Sequence, residues 1–124
     1  MRSREQLSEH FTLREFVCPC CGLMIFNDRL LVALEDLRRR CGDRPVTILS
    51  GVRCPDYNEA ADGGPCSQHL VGTACDIVVR DLHPYEVAEH AEAVTQFAHG
   101  GIGVYPNRGF VHVDVRNGVA RWDG

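Results

Sequence analysis

The stretch Phe110-Val-His-Val-Asp-Val-Arg116 reads as a β-strand with two unlike faces. Strands send alternate side chains to opposite sides, so Val111, Val113 and Val115 form an apolar face that must meet a core. Phe110, His112, Asp114 and Arg116 share the other face. A polar strand face is often simply solvated, but solvated faces favour Thr, Lys and Glu. A histidine and an aspartate two residues apart point instead to a shared target. Just downstream, Asn117-Gly118 is the strongest short hairpin signal in the chain and predicts that "VARW" folds back on this strand. Upstream, "GIGVY" and the turn "PNRG" supply a preceding strand, so the C-terminal part reads as a meander.

Further towards the N-terminus, "TACDIVV" is a mostly apolar strand interrupted by Asp76. A charged group in such a run has to be paired, hydrogen-bonded or metal-bound. Alternation puts Asp76 on one face with Ala74 and Val78, and sends Cys75 to the opposite, core side. A helix from about Pro84 to Ala98 follows, stopped by "HGG". Leu30, Leu31, Leu34 and Leu37 recur at helical spacing after Asn27 and Asp28, either of which serves as N-cap. "RRR" fills the last turn of that helix and Gly42 lies just beyond it. "PVTILS" reads as a strand that breaks at "SGVRCP", and a short helix is predicted to start at Pro55. Thr12 and Glu15 have capping-box spacing for one helical turn, and "VCPCCG" reads as an irregular knuckle. Two or three helices on a mostly antiparallel sheet make an α+β architecture. No repeat, linker or low-complexity tract divides the 124 residues, so residues 1–124 read as one domain.

A formal net charge of -4 argues against nucleic-acid binding, which needs a basic surface to displace counterions. No apolar run approaches the roughly 18 residues needed to cross a bilayer. The charged N-terminus lacks the apolar segment of an export signal, so synthesis in the cytoplasm is expected. Neither nucleic acid nor membrane is expected as a partner, and the chain is expected to be a monomer.

His69, Asp76 and His112 make a set of two histidines and one carboxylate, drawn from a loop and two strands. Three protein ligands with a fourth position left for water is how catalytic zinc is held, whereas structural zinc is closed by four. Such an ion acidifies a water and polarises a carbonyl. Spacing by itself leaves this reading level with ordinary loop and strand residues.

Residues 67–76, "SQHLVGTACD", resemble the Ser-x-His-x-x-Gly-x-Ala-x-Asp signature of the zinc D-Ala-D-Ala carboxypeptidase family. "SGVRCPDYN" resembles that family's Ser-Gly-x-Arg motif, and "GGIGVYPNRGFVHVDVRNGVARW" its C-terminal His-x-Asp hairpin. "FTLREFVCPCCG" is similar to the opening of the branch of small murein peptidases often encoded by bacteriophages. The resemblance implies the Hedgehog/D,D-peptidase fold and a zinc peptidase cutting stem peptides of the bacterial wall, as carboxypeptidase or endopeptidase. It implies His69, Asp76 and His112 as ligands of one zinc ion, and Arg53 as the cation for a substrate carboxylate or the oxyanion. It implies that Ser67 and Gln68 hydrogen-bond the peptide. Some relatives carry an acid three residues before the last histidine ligand, where this chain has Gly109. Asp114 is then the candidate general base; equally, it orients a ligand or is one itself. The enzyme would act on the wall after release from the cell.

Rival readings remain. The same fold could serve as a metal-containing structural or binding module without catalysis, for instance in a phage tail. A thiol-based redox or zinc-sensing protein would rest on "CPCC". Seven cysteines, an odd count, leave at least one thiol unpaired in a monomer. Cys18, Cys20 and Cys21 with Cys41 or Cys54 could hold a structural zinc, although only Cys18 and Cys21 have the usual Cys-x-x-Cys spacing. Cys54 and Cys66 could pair as a disulfide outside the cell.

Overall fold

The computed structural model describes residues 6–16, 27–50 and 73–124. The cysteine knuckle and the helix predicted at Pro55 lie outside the described residues. Thr12 opens a 3-10 turn over Leu13–Phe16, and the Glu15 carboxylate accepts the Thr12 N–H at 2.7 Å, as the capping-box spacing predicts. Asn27 caps α1 (Asp28–Arg40) by accepting the Arg29 N–H at 2.8 Å. Gly42, at φ +76, lets the chain turn back so that Gly42 and Asp43 donate to the last open carbonyls, Arg39 O and Arg38 O. Leu30, Leu31, Leu34 and Leu37 all face the core. Each such burial contributes about 1.5–3 kcal/mol, which makes this stripe the main anchor of α1.

Five strands form one mixed sheet: β1 (Val46–Ser50), β2 (Ala74–Val79), β3 (Gly101–Tyr105), β4 (Phe110–Asp114) and β5 (Ala120–Asp123). Their spatial order is β1-β2-β4-β3-β5, antiparallel except for the β3–β5 pair. The hairpin predicted at Asn117-Gly118 does not form. β4 already has β2 on one edge and β3 on the other, so no edge remains for "VARW". Instead β5 crosses to the free edge of β3 and runs parallel to it. Arg121 secures it there, donating to the Glu92 carboxylate, to Ala98 O and to Gly100 O.

The single helix predicted over 84–98 is two: α2 (Pro84–Glu92) and α3 (Thr95–Ala98). Val94 between them is extended at φ -87, ψ 117. In a continuous helix Val87, Ala91 and Val94 would share a stripe, with Phe97 about 80° round from Val87. Across the break, Val94 and Phe97 are both fully inside.

The helices cover one side of the sheet. Cys75, Ile77, Val79, Ile102, Val111 and Val113 point into that core with the leucines of α1. Cys75 is thus a core thiol, as alternation predicts. Cys41 is buried in the same cluster, and burial pushes its thiol up to about 11. The other cysteines of the structural-zinc reading lie outside the described residues.

Candidate metal centre

The other side of the sheet is where the polar residues of β2 and β4 meet. Asp76 and His112 are direct cross-strand partners, as are Gly103 and His112, and Gly101 and Asp114. Alternation therefore places Asp76, His112, Asp114, Gly101 and Gly103 on one face. That face is not solvated: Asp76 is 6%, His112 7% and Asp114 0% exposed. Three ionisable groups at such burial require mutual compensation.

The compensation is a chain of contacts. His112 Nδ1 lies 3.2 Å from Asp76 Oδ1, and Nε2 lies 2.7 Å from Asp114 Oδ2. Behind it, Asp114 Oδ1 accepts the Gly101 N–H at 2.8 Å and the Arg116 backbone N–H at 3.1 Å. The Arg116 guanidinium grips both carboxylate oxygens, through Nε and Nη2, at 2.7–3.0 Å. Burial alone would raise the Asp114 carboxyl, but the bonds from His112 and Arg116 outweigh it and hold the group well below the usual carboxylate range. Burial opposes charge on His112 too, yet its bonds to Asp114 and Asp76 raise it above the ordinary imidazole value.

Two glycines make room for this. A Cβ on Gly101 would stand 2.2 Å from Asp114 Oδ2, and one on Gly103 would stand 2.3 Å from Trp122 Cε2. The bare Gly101 makes room for the Asp114 carboxylate, and the bare Gly103 lets the Trp122 indole lie across β3 beside the His112 ring, with centroids 4.9 Å apart. Arg116 lies 5.4 Å from the centre of the same indole, so one side chain braces Asp114 and Trp122 together. The indole N–H donates to Tyr105 Oη at 2.8 Å, and Tyr105 stacks on Phe110 at 4.5 Å.

The donor set suits a divalent ion. Two donors about 2.0–2.1 Å from a tetrahedral ion stand about 3.3–3.4 Å apart, close to the 3.2 Å between Asp76 Oδ1 and His112 Nδ1. Asp76 and Asp114 flank the His112 ring, and a cation on Nδ1 could take the place of the proton that otherwise balances the second carboxylate. With Nδ1 given to the ion, Nε2–H donates to Asp114, the arrangement that orients a histidine ligand. Arg53, Ser67, Gln68 and His69 lie outside the described residues, as do Cys18, Cys20, Cys21, Cys54 and Cys66. Ser50, three residues before Arg53, pairs with Asp76. Sequence reasoning gave no role to Gly101, Gly103, Tyr105 or Trp122, although glycines at alternate positions of a strand signal a close approach on one face.

An imidazole held between two buried carboxylates on an α+β sheet offers donors that a divalent ion could use. A family model described as Peptidase M15 matches residues 9–114, which include every strand and helix named above except β5. The chain belongs to that family of metallopeptidases. No curated protein matches the chain.

Proposed function

We propose that this protein is a zinc peptidase that hydrolyses a peptide bond in the stem peptides of bacterial peptidoglycan. The observation that supports this most is the Asp76–His112 cross-strand pair, 3.2 Å apart and backed by Asp114. Asp76 and His112 would hold the ion with His69, the third ligand that the family resemblance implies. Bound zinc supplies the Lewis acidity for activating water and polarising a carbonyl.

The remaining work falls to the chain. Asp114 keeps Nε2 of His112 protonated and fixes the ring's orientation. Arg116 keeps Asp114 ionised, and Trp122 shields the ring edge from water. A general base needs a lone pair facing the reacting water. The contacts of Asp114, all with Gly101, His112 and Arg116, favour an orienting role over that of base. Arg53 is assigned to a substrate carboxylate or the oxyanion, and Ser67 and Gln68 to the peptide, on the strength of their motifs.

The test is digestion of purified murein by the zinc-loaded protein, with the products read by mass spectrometry. Released D-alanine marks a carboxypeptidase, and a new internal amine marks an endopeptidase. One equivalent of bound zinc without any new amine terminus would overturn the reading. That outcome would favour the non-catalytic metal module, which the full engagement of Asp114 also supports. Metal analysis of His69→Ala, expected to lose the equivalent of zinc, tests the third ligand.

A further inference from the structure

The row of rings beside His112 does not stop at Trp122. It continues through Tyr105 and Phe110 and ends on a guanidinium: Arg108 lies 5.9 Å from the centre of the Phe110 ring. Phe110 is two residues from His112 on the same strand face, about 7 Å along β4. Arg108 sits in the turn between β3 and β4, whose Arg108 and Gly109 N–H groups both donate to Tyr105 O.

Arg108 differs from the other arginines near this face. Arg116 is committed to Asp114 and Arg121 to Glu92. Arg108 is exposed, and among the described residues no carboxylate lies within ion-pair distance of it. Its contact is the Phe110 ring, which holds the planar head without consuming its N–H donors. In a chain with net charge -4, an uncommitted guanidinium beside the metal centre favours an anion. A peptide advances about 3.3–3.6 Å per residue, so one bound with a carbonyl near His112 and running along β4 reaches Arg108 two to four residues away.

We propose that Arg108, stacked on Phe110, is a subsite for a carboxylate of the substrate peptide, two to four residues from the bond that is cut. The subsite selects acidic peptides over their amidated counterparts. It rests on the peptidase reading for its context, but it is a claim about binding and can be tested without turnover.

Trp122 is the single tryptophan and stands in the same row, so its fluorescence reports occupancy. The experiment titrates the zinc-loaded protein with two synthetic stem pentapeptides, one with free side-chain carboxylates and one with these amidated. Wild type, Arg108→Gln and Arg108→Lys are compared, and hydrolysis is followed in the same samples. The wild type is expected to bind the acid form about three- to tenfold more tightly than the amide, the range for a charge-assisted contact at a partly screened site. Arg108→Gln is expected to abolish that preference by weakening the acid form alone. Arg108→Lys should retain part of it, since charge survives without the planar stack. Equal affinity of the wild type for both peptides, or an equal loss on both in Arg108→Gln, overturns the subsite. A preference for the acid form that Arg108→Gln abolishes, without hydrolysis, upholds the subsite and counts against the peptidase reading; hydrolysis of both forms with equal affinity does the reverse.

Discussion

Replacing Gly101 with alanine tests the site where it has least slack. The new Cβ would stand 2.2 Å from Asp114 Oδ2 and 2.7 Å from both Cγ and Oδ1, where ordinary contact begins near 3.4 Å. The carboxylate must therefore move by more than 1 Å, or the strands must part. Asp114 is a poor candidate for yielding: it is short, fully buried and tied to Gly101, His112 and Arg116. Displacement breaks at least the bonds to Gly101 N–H and His112 Nε2, each worth about 1.5–3 kcal/mol with a charged partner. Backbone relaxation returns part of this, which leaves about 3–5 kcal/mol, the usual cost of breaking a buried charged pair. At this chain length that lowers Tm by about 10–20 °C. Thermal unfolding followed by circular dichroism at pH 7, in chelator, measures it. The double variant with Asp114→Ala removes the obstacle, so there Gly101→Ala should cost little. A Tm within about 3 °C of wild type for the single variant, or an undiminished loss in the double, would refute the packing argument.

Three further predictions concern the same frame. Gly103→Ala puts a Cβ 2.3 Å from Trp122 Cε2, so the indole must lift away from His112. A red-shifted tryptophan emission and a loss of about 1–3 kcal/mol are expected, and an unchanged spectrum would contradict the contact. Asp114→Asn should weaken zinc binding about 10–100-fold, with turnover returning as zinc saturates the protein. Lost turnover at unchanged zinc affinity would instead make Asp114 the base. Glu35 accepts from both His10 N at 2.7 Å and His10 Nδ1 at 2.6 Å, which ties the N-terminal segment to α1. Burial opposes ionisation of Glu35, but the neighbouring Ser8 hydroxyl and the His10 donors prevail and its carboxyl falls below the ordinary value. A lowered carboxyl stabilises the fold above its unfolded pKa of about 4.3, and that contribution is lost as pH falls through the folded value. Glu35→Gln should therefore cost about 1 kcal/mol at pH 7, and the gap should close below about pH 4 in urea unfolding. A gap that widens in acid would contradict the sign.

Local patterns made most elements of this fold legible. Leucine periodicity and Gly42 mark α1, and valine alternation marks β4 and its buried face. Asp76 was legible as a group needing compensation because it interrupts an apolar run. The sequence put it in one set with His112, but the direct contact was not legible: the two lie 36 residues apart and only the β2–β4 register makes them neighbours. The break at Val94 was hidden as well. Val87, Ala91, Val94 and Phe97 all fit one helical stripe, so hydrophobic spacing carries no sign of the break.

The misread hairpin bears most directly on the site. Asn117-Gly118 favours a reversal, and a reversal does occur; the turn signal says nothing about which edge receives the returning strand. Had "VARW" paired with β4, it would have displaced β2 or β3. Losing β2 would remove Asp76 from its place opposite His112, and losing β3 would remove the Gly101 N–H from Asp114. Because β5 passes to the far side of β3, Trp122 stands opposite Gly103 rather than beside β4, and its ring crosses the glycine to reach His112. That placement sets the indole against the polar face of β4. A solvated strand face and a buried polar one share the same alternating pattern, and the choice between them lies in pairings set by residues outside that strand.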